Sequence, residues 1–133
     1  MAYKTSATTK GGRNGRAMLT DGGLALAMAL PKDLGGSGEG HNPEQLFALG
    51  YSSCFGQALL ALGKKHGVDA QGAQVTVETS LLTEGGFSLA VDIKVSIPGA
   101  DRAAVEALVA DAHTICPYSK ATRDNIPVTL TVV

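Results

Sequence analysis

The sequence is short of the residues that nucleic-acid and membrane proteins need. It has no tryptophan, and its 11 Lys and Arg are balanced by 12 Asp and Glu, for a net charge of -1. A basic footprint for nucleic acid is therefore absent. No uninterrupted apolar run reaches the roughly 18 residues that span a bilayer, and the polar start, residues 1–10, has no signal-peptide pattern. We expect a cytoplasmic protein with no nucleic-acid or membrane partner.

Cysteine is also scarce, since the chain has only Cys54 and Cys116. In a reducing compartment two cysteines are not expected to form a permanent structural disulfide. Inert core thiols and a redox pair both remain open. The three histidines lie far apart in the sequence and match no zinc-ligand spacing, so we expect no bound metal.

The length and hydrophobic content of the chain are sufficient for one hydrophobic core. The chain has 133 residues, of which 44% are hydrophobic, and this predicts a single domain over residues 1–133. Alternation of apolar and polar side chains predicts several strands. These strands are expected at residues 3–9, 16–21, 24–30, 75–82, 87–97 and 126–132.

Two helices are expected between the strands. Asn42, Pro43 and Glu44 favour a helix start, and we expect that helix to run to about His66. Asp101 is expected to cap a second helix, which carries an apolar stripe of Val105, Leu108, Val109, Ala112 and Cys116. The order of strands, helix, hairpin, helix and strand predicts an α+β fold with a mostly antiparallel sheet packed on the central helix.

The two cysteines differ in their predicted surroundings. Cys54 lies in the middle of an apolar helix, where a lone cysteine is most often a small buried hydrophobe. Cys116 precedes Pro117, and a residue before proline avoids the helical region, so the helix should break there. This difference suits one fixed attacking thiol and one mobile resolving thiol. A bond between them needs Cα atoms within about 4.4–6.8 Å, which the sequence does not show.

A nucleophilic thiol also needs a cation, because burial raises the pKa of a thiol. Arg13 and Arg16 lie in a glycine-rich turn, and Arg123 follows Cys116. On composition alone, each would be a solvated surface charge. His113 lies one helical turn before Cys116, and we expect it to be a cation near the helix C-terminus rather than a base.

Three segments resemble a known family. Residues 42–48 (NPEQLFA) with 50–55 (GYSSCF) resemble the first signature of the organic hydroperoxide resistance proteins, a group of the OsmC-like superfamily. Residues 113–126 (HTICPYSKATRDNI) resemble the second signature, and residues 11–16 (GGRNGR) resemble the N-terminal arginine motif. The match runs in order over almost the whole chain, and each long signature contains one of the two cysteines.

The resemblance implies a fold and a chemistry. The fold would be a mostly antiparallel sheet wrapped on a long buried central helix, in an intertwined homodimer. Cys54 resembles the peroxidatic cysteine and Cys116 the resolving cysteine. Arg13 resembles the arginine that stabilises the thiolate, and Glu44 the carboxylate that holds this arginine. The implied enzyme is a thiol peroxidase that reduces organic hydroperoxides to alcohols without a bound cofactor.

The resemblance further implies an external dithiol as reductant, namely a lipoyl group on a carrier protein. Phe47, Tyr51 and Phe55 are candidates to line a pocket for an alkyl tail, although each is equally typical of a core, and the resemblance adds Tyr118.

Two other functions remain open. A non-catalytic thiol redox sensor or a ligand-binding module would use the same cysteines, and a structural dimer with inert cysteines is a third alternative.

The spacing along the first helix bears on how such a site is assembled. Glu44 and Cys54 are ten positions apart, which is about 15 Å along a straight helix. One Arg13 side chain does not easily reach both within one chain. We therefore expect Arg13 and Glu44 to serve Cys54 of the partner subunit, with the site at the dimer interface.

Overall fold

The strands form two three-stranded sheets in the computed structural model, which describes residues 1–133. The first sheet is an antiparallel meander of β1 (Ala7–Lys10), β2 (Arg16–Leu19) and β3 (Ala25–Ala27). The predicted first strand begins too early. The paired register begins at Ala7, opposite Leu19, and before it the only backbone hydrogen bond across the hairpin is from the Thr20 N–H to the Ser6 carbonyl at 2.9 Å.

The second sheet has the order β4 (Gln74–Leu82), β5 (Ser88–Ser96), β6 (Val128–Val132). β4 and β5 form the expected hairpin, but β5 and β6 pair in parallel. The mostly antiparallel sheet is therefore confirmed, with two sheets in place of one and a parallel edge pair. A helical connection precedes β6, and such crossovers are what parallel pairing requires. Phe87, the first residue of the predicted strand 87–97, lies before β5 begins and is 81% exposed.

The first helix, α1 (Pro43–Leu62), begins where the sequence predicts. The Asn42 side-chain oxygen accepts from the Gln45 N–H at 2.9 Å, and the Gln45 side-chain oxygen accepts from the Asn42 N–H at 3.0 Å. This reciprocal pair is a capping box. The helix ends earlier than predicted, because residues 64–66 form a 3-10 turn that Gly67 terminates in the left-handed conformation.

The second helix, α2 (Arg102–Ile115), and a short third helix, α3 (Pro117–Thr122), flank Cys116. Asp101 caps α2 by accepting the Ala104 N–H at 3.0 Å, as expected. The predicted stripe of α2 is confirmed, since all five of its members are buried. They pack with the inner side chains of β5 and with Tyr51, Phe55 and Leu59 of α1 in one hydrophobic core.

The chain divides into two compact units, residues 1–46 and 47–133, with the boundary inside α1. The single domain over residues 1–133 stays a prediction. By length and composition alone, α1 is long and apolar enough to cross a membrane. Glycine, serine and glutamine interrupt its apolar residues, so the sequence has no continuous apolar run there. Tyr51, Phe55 and Leu59 of this helix are fully buried in the core of the second unit.

Candidate active site

The first unit holds an arginine and a glutamate in a two-point ion pair. Arg13 lies in a 3-10 turn between β1 and β2, which Gly11 and Gly12 open with positive φ angles of 85° and 57°. Its Nη1 donates to Glu44 Oε2 at 2.8 Å and its Nη2 to Glu44 Oε1 at 2.6 Å. Two parallel bonds fix the plane of the guanidinium as well as its position. The structure therefore brings together the two charged residues singled out in the sequence.

Each member of this pair stabilises the charged form of the other. The hydrogen bonds from Arg13 lower the pKa of Glu44, and the same bonds raise the pKa of Arg13, while partial burial opposes both shifts. The Glu44 side chain is only 15% exposed, against 37% for Arg13. Both groups are therefore charged at neutral pH, and the guanidinium keeps a fixed direction.

The second unit holds both thiols in contact. Cys54 Sγ and Cys116 Sγ are 3.5 Å apart, and both cysteines are free. Cys54, in the middle of α1, is partly buried, whereas Cys116 is completely buried. A disulfide needs its sulfurs at about 2.05 Å, so closure requires an approach of about 1.5 Å. The two thiols are within reach of bond formation.

Cys116 lies at the predicted helix break but is less free than the sequence suggested. Its φ and ψ of -61° and 122° separate α2 from α3. Its N–H nevertheless donates to the Ala112 carbonyl at 2.9 Å, and its carbonyl accepts from the Lys120 N–H at 3.0 Å. Because the side chain is also buried, any displacement of Cys116 involves the helices on both sides.

The surroundings of Cys54 do not by themselves produce a thiolate. Burial raises the pKa of Cys54, a backbone hydrogen bond from Tyr118 lowers it, and the neighbouring Cys116 raises it again. The net direction is upward, so this thiol is protonated at neutral pH within its own unit. A nucleophilic Cys54 requires an additional positive charge.

Three aromatic rings cluster in the second unit. Phe47 contacts Tyr51 and Tyr118 edge-on, with ring centroids 5.9 and 6.0 Å apart, and Tyr51 lies 5.5 Å from Tyr118. Gly50 makes room for them, because a Cβ there would collide with the Tyr118 ring. Tyr51 and Phe55 are fully buried, so the apolar surface open to a ligand is that of Phe47 and Tyr118. Contact of these four residues with a substrate stays a prediction.

A buried polar cluster was not anticipated from the sequence. Ser119 Oγ lies 2.8 Å from both His113 Nδ1 and Tyr51 Oη, and Tyr51 Oη lies 3.1 Å from Thr122 Oγ1. Burial and the charge of Arg123 lower the pKa of His113, so the expected helix C-terminal cation is wrong. Ser119 and Thr122 stand three positions apart on α3, which places them on one face, but no sequence pattern pairs them with Tyr51.

Fold and site together define a class of protein. The chain is a small α+β protein in which two thiols are in contact in one unit and a partly exposed arginine–carboxylate pair lies in the other. Two thiols in contact, one more buried than the other, are the groups that thiol–disulfide chemistry requires.

Comparison with known proteins narrows this class to a family. The OsmC-like protein family matches residues 36–131. The chain is 43% identical to the organic hydroperoxide resistance protein of Xanthomonas axonopodis pv. citri (strain 306) over 134 residues, which cover 98% of this chain and 94% of the relative. It is 37% identical to the organic hydroperoxide resistance protein OhrB of Bacillus subtilis (strain 168), with 96% of each chain covered.

Solved structures agree with the sequence matches. The crystal structure of an organic hydroperoxide resistance protein OsmC from Legionella pneumophila superposes with a TM-score of 0.91 at 44% identity, covering 99% of this chain and 98% of that chain. The chain therefore belongs to the OsmC-like family, among the organic hydroperoxide resistance proteins.

Proposed function

We propose that this protein is a thiol peroxidase that reduces organic hydroperoxides to alcohols. The observation that carries the proposal is the 3.5 Å contact between Cys54 Sγ and Cys116 Sγ, the only two cysteines of the chain. The names of the relatives, organic hydroperoxide resistance proteins, support the substrate class.

The reaction consists of two displacements at sulfur and oxygen. The Cys54 thiolate attacks the terminal peroxide oxygen, the O–O bond breaks, and the alkoxide takes up a proton and leaves as the alcohol. Cys54 is then a sulfenic acid. The Cys116 thiol attacks the sulfur of Cys54, an S–S bond forms, and the hydroxyl leaves as water with the thiol proton. An external dithiol reduces the disulfide by thiol exchange and is itself oxidised.

Arg13, held in place by Glu44, supplies the positive charge that the first displacement needs. The Cys54 thiol has a raised pKa because of its burial, and a guanidinium beside it favours the thiolate and donates to the peroxide oxygen. Glu44 holds the guanidinium through two hydrogen bonds, which prevents it from rotating away.

The active form is proposed to be a homodimer in which Arg13 and Glu44 serve Cys54 of the partner subunit. The ten-residue separation of Glu44 and Cys54 along one helix motivates this arrangement. The apolar surface of α1 supports it, since Leu49 and Leu60 are 64% and 42% exposed in the isolated chain. Contiguous exposed apolar patches are typical of interfaces.

The reductant and the substrate surface complete the proposal. Phe47 and Tyr118 offer partly exposed aromatic surface to an alkyl tail, which favours organic hydroperoxides over hydrogen peroxide. Tyr51 packs against both rings, and Phe55 lies in the core. No bound cofactor is needed, because a lipoyl group on a cytoplasmic carrier protein supplies the two electrons.

The test is hydroperoxide consumption by wild type, Cys54→Ser and Cys116→Ser, with cumene hydroperoxide and dihydrolipoamide. Wild type should turn over repeatedly. Without reductant, Cys116→Ser should consume about one equivalent and become labelled by dimedone at Cys54, because it forms a sulfenic acid that it does not resolve. Cys54→Ser should consume none.

The alternatives predict different results. One stoichiometric oxidation of wild type without recycling by any dithiol indicates a redox sensor. Absence of any thiol oxidation by hydroperoxide indicates inert cysteines, and either result contradicts the proposed enzyme.

A further inference from the structure

A continuous set of hydrogen bonds joins the three helices α1, α2 and α3. We call His113, Ser119, Tyr51 and Thr122 the polar chain, in the order in which they are bonded. The successive separations are 2.8 Å from His113 Nδ1 to Ser119 Oγ, 2.8 Å from Ser119 Oγ to Tyr51 Oη and 3.1 Å from Tyr51 Oη to Thr122 Oγ1. Tyr51 comes from α1, His113 from α2, and the two hydroxyl residues from α3.

The protons of the polar chain have one consistent arrangement. The Thr122 hydroxyl donates to the Ser119 carbonyl at 3.2 Å, and since it has one proton, the Tyr51 hydroxyl must donate to it. Tyr51 then accepts from Ser119, and Ser119 accepts from a protonated Nδ1 of His113. Every hydroxyl donates once and accepts once, which is what burial of these side chains demands.

The polar chain holds the helix that carries Cys116. α3 has six residues, too few to be stable without tertiary contacts. Ser119 and Thr122 anchor it to Tyr51, three positions before Cys54 on α1. Arg123 adds two bonds, from Nη1 to the His113 carbonyl and from its N–H to the Ser119 carbonyl, each 2.8 Å long. Cys116 lies at the start of this anchored helix.

We propose that the polar chain positions Cys116 against Cys54 and so sets the rate and equilibrium of disulfide formation. This inference rests on the proposed function for its role in turnover. Ser119 is the central positioning residue, because it is the one member bonded to both neighbouring helices, and it acts through Cys116 without touching the substrate. The step it controls is attack of the Cys116 thiol on the Cys54 sulfenic acid, which forms the S–S bond and releases water.

The physical reason is effective concentration. With Cys116 Sγ held 3.5 Å from Cys54 Sγ, attack on the Cys54 sulfenic acid is intramolecular, and a displacement of about 1 Å costs up to a hundredfold in such reactions. Ser119→Ala breaks the polar chain in the middle and leaves the partner groups of His113 and Tyr51 unpaired. α3 then keeps only the Tyr51–Thr122 bond of the polar chain to α1, and Cys116 spends less time within reach of Cys54.

The first measurement is the equilibrium between dithiol and disulfide in reduced and oxidised dithiothreitol, which requires no peroxidase activity. Ser119→Ala should lower the equilibrium constant for disulfide formation about tenfold, which makes the potential about 30 mV more positive. Ser6→Ala, which removes an exposed hydroxyl bonded to Thr20, is the matched control and should leave the equilibrium constant unchanged. A folded Ser119→Ala with less than about a twofold change would overturn the proposal.

The second measurement is the lifetime of the Cys54 sulfenic acid after one equivalent of cumene hydroperoxide, read by dimedone labelling and mass spectrometry. Ser119→Ala should lengthen it about tenfold, and the rate of Cys54 oxidation in the same experiment separates slow resolution from slow attack. If wild type forms no sulfenic acid, the proposed peroxidase fails, while the equilibrium measurement still decides the role of the polar chain.

A matched pair of variants covers the case in which Ser119→Ala does not fold. Thr122→Val keeps the shape of the side chain and removes the hydroxyl that ends the polar chain, whereas Thr122→Ser keeps the hydroxyl. We expect Thr122→Val to shift the equilibrium in the same direction and Thr122→Ser to stay near wild type. Equal values for the two variants would contradict the proposal.

Discussion

At the scale of single residues, Glu44 is held in its ionised form by Arg13. Its pKa is lowered from an ordinary value of 4.5, so the pair stabilises the fold fully above pH 4.5 and this contribution is lost as pH falls through the lowered pKa. We expect Glu44→Gln to lower the free energy of unfolding at pH 7 by about 0.5–1 kcal/mol, a modest value because Arg13 is partly exposed.

Urea denaturation at pH 7 and pH 3 measures this effect, and the gap between wild type and Glu44→Gln should narrow at pH 3. Glu106→Gln is the control, since it breaks an exposed one-bond pair with Arg102 and should cost less. An equal loss in both variants at pH 7 would show that the two-point geometry adds no stability.

His113 gives the opposite pH dependence from a helix C-terminal cation. Its pKa is lowered below 6.5, first by burial and then by Arg123, so the unfolded chain binds a proton more readily than the folded one. Stability should therefore fall as pH drops below about 6.5. We expect His113→Asn to flatten that decline in thermal melts between pH 5 and 7.5. If the fall of melting temperature with pH is as steep in His113→Asn as in wild type, another group causes the decline.

At the scale of elements, α3 ends under a backbone constraint. Asp124 follows the helix with φ of 61°, the left-handed region where glycine is preferred, and Asn125 and Ile126 donate to the Thr122 carbonyl at 3.0 Å. Asp124→Gly should raise the free energy of unfolding by about 0.5 kcal/mol because glycine adopts this conformation without a Cβ penalty.

Urea titration of Asp124→Gly and Asp124→Ala separates this backbone effect from loss of the carboxylate. Alanine removes the charge but keeps the Cβ, so it should give no gain. Equal stabilisation by both substitutions would mean that charge, and not φ, is the cause.

At the scale of the whole molecule, the proposed homodimer predicts that two inactive variants, Arg13→Ala and Cys54→Ser, restore activity when their subunits are mixed. Arg13→Ala retains Cys54, and Cys54→Ser retains Arg13. If the site forms between subunits, subunit exchange between them should restore about a quarter of wild-type activity, since half of the dimers are mixed and each has one complete site.

The control is exchange of Cys54→Ser with a chain that has both substitutions, which offers no complete site. Hydroperoxide consumption before and after exchange is the measurement. Lack of any gain, with mixed dimers demonstrated by mass spectrometry, would place Arg13 and Cys54 of one site on the same chain.

The sequence by itself determined the local structure of this protein. Asn42 and Asp101 cap helices where predicted, and the stripe of α2 is buried as predicted, because caps and helical periodicity act between residues at most four positions apart. The family and its two cysteines were also evident from the sequence, because two signatures surround them.

Only the tertiary structure decided which distant residues meet. The 3.5 Å contact of Cys54 and Cys116 joins residues 62 positions apart, and the bond of Tyr51 to Ser119 joins residues 68 apart. The parallel pairing of β6 with β5 also joins residues that are distant in the sequence. Such contacts depend on how helices and strands pack over a shared core, and short-range patterns do not encode that packing.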